Sequence, residues 1–359
     1  MSPKTIVIVG AGQAGYQVAA SLRQEGFDGA ITLVGNEPGV PYQHPPLSKA
    51  YLLGKVGVAA LRFRPPEYFD EHHITRIHGT ASGIDRERRE LLLASGERLT
   101  YDHLVLATGA RNRVPTIPGI ELEGVFGLRS LADADGLSQR LDNTKHAVVI
   151  GAGFIGLEFA AVAAARGISV DVLELGTRPM ARAVSVITSS VFDQAHASWG
   201  VRIRYRESLA AIQGRDGHVT GVQLASGELL PADLVVYGIG VLPNEELASE
   251  AGLAVNNGIA VDAQLLTSDS TVSAIGDVVS FPSPWAPLPI RLESVQNAVD
   301  QAKTVAARIM GKPVNYAALP WFWTDQGELK LQIAGLSDGH DETVVLGSVE
   351  QHQISVLCF

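Results

Sequence analysis

A chain of 359 residues, 46% hydrophobic and 18% charged, has the bulk for two or three domains and the composition of an ordinary soluble globular protein. A formal net charge of -10 excludes broad nonspecific binding to nucleic acid, which needs Lys and Arg in excess to neutralise phosphate, so any basic docking site must be local. A single cysteine, Cys358, excludes an internal disulfide, a Cys-x-x-Cys thiol relay and an iron–sulfur cluster held by this chain.

The chain opens on a pattern that it later repeats. Thr5 to Gly15 reads T-I-V-I-V-G-A-G-Q-A-G, and Ala147 to Gly156 reads A-V-V-I-G-A-G-F-I-G. Each is a β-branched run, a G-x-G-x-x-G loop and an alanine-rich helix, with a capping glycine at Gly26 or Gly167. A second apolar strand follows each, Ala30 to Val34 and Ser169 to Leu173. Two β-α-β units therefore start two nucleotide-binding modules. The apolar run before the first loop begins at Thr5 and is soon broken by glycines, so no signal peptide is predicted and the chain is expected to be cytoplasmic. The stretch Ala147 to Ala165 has the length of a membrane span, but Gly151, Gly153, Gly156 and Glu158 make it strand, turn and helix.

Between and after the modules, hairpins are predicted in Arg86 to Tyr101, turning at Ser95-Gly96, and in Val219 to Leu230, turning at Ser226-Gly227. Short strands are predicted at Leu104 to Ala107, Leu234 to Val236 and Val272 to Ile275. Asn297 to Met310 reads as a helix closed by Gly311 and Pro313. After it come P-W-F-W and three strand candidates, Lys330 to Ala334, Thr343 to Leu346 and Gln353 to Phe359. His72 and His73 are adjacent and the other histidines are scattered, with no metal-ligand spacing.

The glycine loops carry a physical logic. The first glycine, Gly10 or Gly151, permits the tight turn. The second, Gly12 or Gly153, lets backbone approach a pyrophosphate. The third, Gly15 or Gly156, lets helix and strand pack closely. The phosphates then sit at a helix N-terminus, where free N–H groups and the dipole favour an anion. Each loop has an acidic partner at suitable spacing: Glu174 for the second, and Glu37 or its neighbour Asn36 for the first. Glu174 would bond a ribose diol and repel a 2′-phosphate, which favours NADH over NADPH. Arg178 and Arg182 follow it and are candidates for the pyrophosphate or a 2′-phosphate. Two sites imply two dinucleotides, and a nicotinamide paired with a flavin explains that best, because a hydride needs an acceptor.

At this point the sequence resembles a family. Gly10-Ala11-Gly12-Gln13-Ala14-Gly15, L-V-L-A-T-G-A at Leu104 to Ala110 and A-I-G-D at Ala274 to Asp277 are similar to the three FAD signatures of two-dinucleotide-domain flavoprotein reductases. P-P-L-S-K (Pro45 to Lys49), G-A-G-F-I-G-L-E (Gly151 to Glu158), R-L-E-S-V-Q-N-A (Arg291 to Ala298) and P-W-F-W-T-D-Q (Pro320 to Gln326) resemble the NADH:ferredoxin reductases. Those enzymes serve bacterial cytochromes P450 and ring-hydroxylating dioxygenases.

The resemblance implies an α/β fold with two Rossmann-like dinucleotide-binding domains and a small, incomplete C-terminal α+β domain. Residues 1–110 and 241–315 would form the FAD-binding domain, 111–240 the NAD-binding domain and 316–359 part of the C-terminal domain. It places FAD against Gly12, Ala14, Asn36, Ala107, Arg129, Asp277 and Val295. Gly10, Gly15, Glu37, Gly151, Gly153, Ile155, Gly156, Glu174, Arg182, Gly240 and Glu293 complete the set for FAD and NAD. Lys49 would lie beside the isoalloxazine as a cation that favours reduced flavin. Glu158 would pair with Lys49 on the nicotinamide side. Trp323, on one strand face with Trp321 and opposite Phe322, would stand at the flavin edge. A [2Fe-2S] ferredoxin would dock near Arg291, Lys303, Arg308 and Trp323. A small terminal acceptor such as a quinone, monodehydroascorbate or oxygen is the main alternative within enzymes. A flavin-bearing signalling protein is the alternative from another class.

Overall fold

A computed structural model describes residues 3–349, 351 and 353–359. Its frame is two five-stranded parallel sheets. The first runs Val272–Ala274, His103–Leu106, Thr5–Val9, Ala30–Gly35 and Ile74–His78 from edge to edge. The second runs Val201–Tyr205, Ser169–Glu174, His146–Ile150, Leu234–Tyr237 and Val125–Gly127. The central strands are continuous β-branched and aliphatic runs because both of their faces are covered, as parallel sheets require.

The duplication read in the sequence extends to the hydrogen bonds. Gly10 N–H donates to Val34 O at 2.8 Å, and Gly151 N–H donates to Leu173 O at 2.8 Å. Ala107 N–H donates to Val9 O at 2.7 Å, and Gly238 N–H donates to Ile150 O at 2.8 Å. Each module also carries a three-stranded antiparallel sheet. One is Ala81–Asp85, Glu90–Leu93 and Arg98–Thr100, and the other is Leu209–Arg215, His218–Leu224 and Leu229–Pro231. The predicted hairpins are the last two strands of each, and Gly96 and Gly227 turn them with φ of +91° and +92°. The two modules are joined by a short antiparallel ribbon, Ala110–Asn112 against Val241–Pro243.

The long helices take their ends from local chemistry. Val295–Ile309 begins two residues before the predicted start, because the Ser294 hydroxyl accepts the Asn297 N–H at 3.1 Å. It packs against Gln13–Gln24 over the first sheet. Phe154–Ala165 is buried along most of its length and correspondingly apolar. Two long helices escaped the sequence reading, Leu131–Leu141 and Val186–Ser198, as did the short ones Val58–Leu61, Pro66–Glu71 and Glu246–Glu250. The first carries a full capping box, with Ser130 and Asp133 satisfying each other's backbone N–H.

The expected α+β character of the C-terminal domain is corrected. Among the described residues of 316–359 there are two hairpins, Trp321–Gln326 with Leu329–Ala334 and Thr343–Ser348 with Gln353–Cys358, and no helix. L-K-L-Q-I-A and Q-I-S-V-L-C alternate with period two, which suits a half-covered strand and gives a helix no apolar stripe. No helix among the described residues is long and apolar enough to cross a membrane.

Candidate cofactor and active site

The ends of the first sheet's strands open onto a cavity of about 810 Å³, shared by both modules and the C-terminal segment. Gly10, Gly12, Ala14, Asn36, Glu37, Lys49, Ala107, Arg129, Ile155, Glu158, Asp277, Glu293, Val295 and Trp323 line it. Strand ends at a change of strand order are where open α/β sheets place their ligands.

The first glycine loop fits a bound phosphate group. Gly10 has φ +107°, and a side-chain carbon there would lie 2.1 Å from Ala107 O. A carbon on Gly15 would lie 1.8 Å from Gly10 O, so this glycine lets the first turn of the helix pack on the loop and does not line the cavity. A carbon on Gly12 would meet nothing within 4 Å, because that face of the loop is open. Gly12 is the N-cap of Gln13–Gln24 and offers no side-chain cap, so the helix N–H groups stay available to an anion.

Around this loop the cavity is charged and tightly bonded. Arg129 meets the Asp277 carboxylate at 2.9 Å. Arg291 donates to Asp277 O at 3.1 Å and meets Glu293 at 2.7 Å. Tyr42 donates to Glu37 and accepts the Leu131 N–H at 2.8 Å. Burial and then the Glu37 carboxylate drive the Tyr42 hydroxyl far above its ordinary pKa. His44 stacks on Tyr42 at 4.7 Å between ring centres. Burial first, and then the Arg129 cation, hold its pKa below the usual histidine value.

Lys49 and Glu158 meet as expected, with Nζ 2.8 Å from Oε2. Glu158 is 4% exposed, yet it is fully partnered: Ser48 donates at 2.5 Å and Thr324 at 2.6 Å. Neither hydroxyl was foreseen. Ser48 lies within the P-P-L-S-K motif and Thr324 directly after the tryptophan pair, so both stood in quoted motifs without a role. Trp321 and Trp323 share a face and stack at 5.2 Å, while Phe322 turns the other way onto Phe154 at 4.6 Å. Phe322 nevertheless reaches the same cavity, another contact the sequence reading missed.

The second loop lies away from the cavity wall, with Gly151, Gly153 and Gly156 arranged as in the first. A carbon on Gly156 would lie 2.3 Å from Gly151 O, whereas one on Gly153 would have only Gly238 O within 4 Å, at 3.6 Å. The Glu174 carboxylate accepts the Ala152 N–H at 2.9 Å and the Gly176 N–H at 2.7 Å, so it is fixed at the rim of its own loop. Arg182 is exposed and stands beside Gly240. Arg178 is engaged locally: its guanidinium donates to Val184 O, Ala181 O and the Ser189 hydroxyl in the first turn of the helix Val186–Ser198.

Two docking candidates are corrected as well. Arg308 points inward to the Ser273 hydroxyl and lies 3.4 Å from His103 Nε2, so it buttresses the first sheet. The Arg291 side chain is 10% exposed and engaged with Asp277 and Glu293. Lys303 is 60% exposed, 3.8 Å from Asp300.

Residues 4–302 match the model of the pyridine nucleotide-disulphide oxidoreductases, and residues 321–359 match that of the reductase C-terminal domain. The chain belongs to the pyridine nucleotide-disulphide oxidoreductase family. Membership implies FAD and a nicotinamide nucleotide as cofactors, while the lone cysteine leaves this member without an internal disulphide. Rhodocoxin reductase of Rhodococcus erythropolis is 50% identical over 99% of this chain and 83% of that protein. Putidaredoxin reductase of Pseudomonas putida is 41% identical over 98% of this chain and 85% of that protein. The crystal structure of the ferredoxin reductase for the CYP199A2 system from Rhodopseudomonas palustris superposes with a TM-score of 0.97 at 51% identity, covering 99% of this chain and 88% of that one.

Proposed function

We propose that this protein is an FAD-dependent NADH:ferredoxin reductase that delivers electrons one at a time to a [2Fe-2S] ferredoxin serving a cytochrome P450 or a ring-hydroxylating dioxygenase. The observation that carries the reading is the Lys49–Glu158 pair: a cation held at 2.8 Å by a buried carboxylate, on the wall of a cavity shared by both modules. The names and lengths of alignment of the relatives support it, since they are reductases matched across nearly the whole chain. FAD, when bound, accepts hydride from the nicotinamide and releases electrons singly, chemistry that no side chain here supplies.

The chain's own residues bind, orient and shield. The open face at Gly12 and the N-terminus of Gln13–Gln24 would hold the FAD pyrophosphate. Asp277, itself oriented by Arg129, would accept ribityl hydroxyls. Asn36 and Glu37 would meet the FAD ribose, and Ala14, Ala107 and Val295 would pack on the cofactor. Lys49 would stabilise negative charge on the flavin ring. Glu174 would bond the ribose diol of NADH, with Gly153 open to its pyrophosphate and Arg182 beside it. In this reading 1–110 and 241–315 bind FAD, 111–240 bind NADH and 316–359 complete the flavin edge.

Lys303 and Trp323 remain the docking candidates. Lys303 is an exposed cation on the helix that starts at the cavity, and such a charge speeds the encounter with an acidic partner and loses its effect as salt is added. Steady-state turnover with NADH and separate acceptors tests the reading. A [2Fe-2S] ferredoxin should be reduced much faster than a quinone or oxygen. Equal or slower turnover with every ferredoxin tried would overturn it in favour of a small acceptor.

A further inference from the structure

Behind the Lys49–Glu158 pair runs a buried polar chain that crosses from the cavity into the second module. Glu158 Oε2 receives Ser48 and Lys49, while among the described residues Oε1 receives only the Thr324 hydroxyl, at 2.6 Å. The Gln326 amide donates to Thr324 Oγ1 at 3.4 Å, and Gln326 Oε1 lies 2.8 Å from His196 Nε2. Thr324, Gln326 and His196 are each 0% exposed. His196 Nδ1 ends the chain, with no partner among the described residues.

The chain has one possible direction. An ionised carboxylate only accepts, so Thr324 must donate to Glu158. The threonine oxygen must then accept from the Gln326 NH₂, which leaves the Gln326 carbonyl to accept from His196 Nε2–H. The His196 ring must therefore carry a proton on Nε2, as in the neutral tautomer with a bare Nδ1. Burial, which lowers its pKa, agrees with that state. Turning the glutamine amide around would set its carbonyl against an oxygen whose proton is already committed to Glu158.

We propose that Thr324 is a positioning residue, held by Gln326 and His196, whose hydroxyl fixes the Glu158 carboxylate so that its other oxygen presents Lys49 to the cavity. The inference rests on the cofactor reading above for its meaning, but the geometry stands without it. Thr324 follows Trp323 on the same strand, so the C-terminal segment both lines the cavity and sets the charge pair on its wall.

The test compares Thr324→Val, which keeps shape and loses the hydroxyl, with Thr324→Ser, which keeps the hydroxyl. Stopped-flow reduction of the bound flavin by NADH should slow on the order of tenfold in Thr324→Val, the scale of one lost hydrogen bond to a charged group, and recover in Thr324→Ser. Competitive labelling of the oxidised holoprotein with acetic anhydride, read on the Lys49 peptide by mass spectrometry, should rise several-fold in Thr324→Val and stay at the wild-type level in Thr324→Ser. Wild-type labelling of Lys49 in Thr324→Val, or Thr324→Ser behaving like Thr324→Val, would overturn the proposal. If Thr324→Val does not fold with its cofactor, Gln326→Leu carries the test: it should increase labelling by a smaller factor, and unchanged labelling would overturn the proposal. Labelling uses neither NADH nor an acceptor. A wild-type flavin that NADH does not reduce would therefore sink the reductase reading and still leave the role of Thr324 decided.

Discussion

The segments Thr5–Gln24 and His146–Ala165 are built from the same parts, but the fold uses them differently. Aligned through their matching hydrogen bonds, Val34 corresponds to Leu173, and therefore Gly35 to Glu174. In the second module that position holds a carboxylate bonded to the Ala152 N–H of its own loop. In the first it holds a glycine pressed on Ala11, where any side-chain carbon would come within 2.6 Å of the alanine methyl, and the acid moves on to Glu37 beside Tyr42 and His44. The strands His103–Leu106 and Leu234–Tyr237, which flank the central strands, differ too. His103 in the first module stands where the second has Leu234. The first helix leaves its N-terminus open to the cavity, whereas the second turns Glu158 of its first two turns into it. One local motif thus opens a helix N-terminus onto the cavity in one module and brings the Glu158 carboxylate to it in the other, because its neighbours differ.

The sharpest way to break this comparison is at the third glycines. Gly15→Val and Gly156→Val both drive a side chain into backbone oxygen, so each should lose soluble, cooperatively melting protein. Gly12→Ala has room in the fold and collides only with what binds there. It should leave the apoprotein Tm unchanged while lowering FAD content, measured by flavin absorbance per protein. A Gly12→Ala protein that retains full FAD would show that the first loop is not the FAD cradle.

Next come Glu158→Gln and Lys49→Met, which should slow flavin reduction by NADH by about ten- to a hundredfold with FAD retained, the range of a lost electrostatic contact at a reacting centre. Reduction at the wild-type rate would make the pair structural. Glu174→Ala should have a smaller, selective effect. The preference for NADH over NADPH in flavin reduction should shrink by about tenfold as repulsion of the 2′-phosphate is lost. The same substitution at Glu37 should leave that preference alone, and a shift there would erase the distinction between the modules.

The least effect belongs to the strands His103–Leu106 and Leu234–Tyr237. Burial, and then the Arg308 cation, hold His103 at a pKa of about 3. The unfolded chain takes up a proton there near pH 6.5 that the fold refuses down to about pH 3. Stability should therefore be complete above pH 6.5 and fall as pH drops towards 3, by at most about 1.4 kcal/mol per pH unit from this group. His103→Gln should flatten that slope in acid denaturation curves. An unchanged slope would show that His103 is as inert to acid as Leu234.

Much of this was legible in residues taken one after another. The two glycine loops, their strands and helices, the Ser95-Gly96 and Ser226-Gly227 turns and the final strands follow from β-branched runs, period-two alternation and glycines at turns, all properties of neighbours in the chain. The motifs also put Lys49, Glu158, Asp277 and Trp323 on one cavity, as found. Tertiary structure alone decided what those side chains touch. That Thr324 and Ser48 donate to a buried Glu158, and that Arg291 and Arg308 turn inward, depend on contacts between distant segments. The Glu158–Thr324 bond spans 166 positions, and no spacing rule reaches so far. Local patterns set backbone conformation because its energetics are local. The partner of a charge depends on which surfaces packing brings together, and only the folded chain determines that.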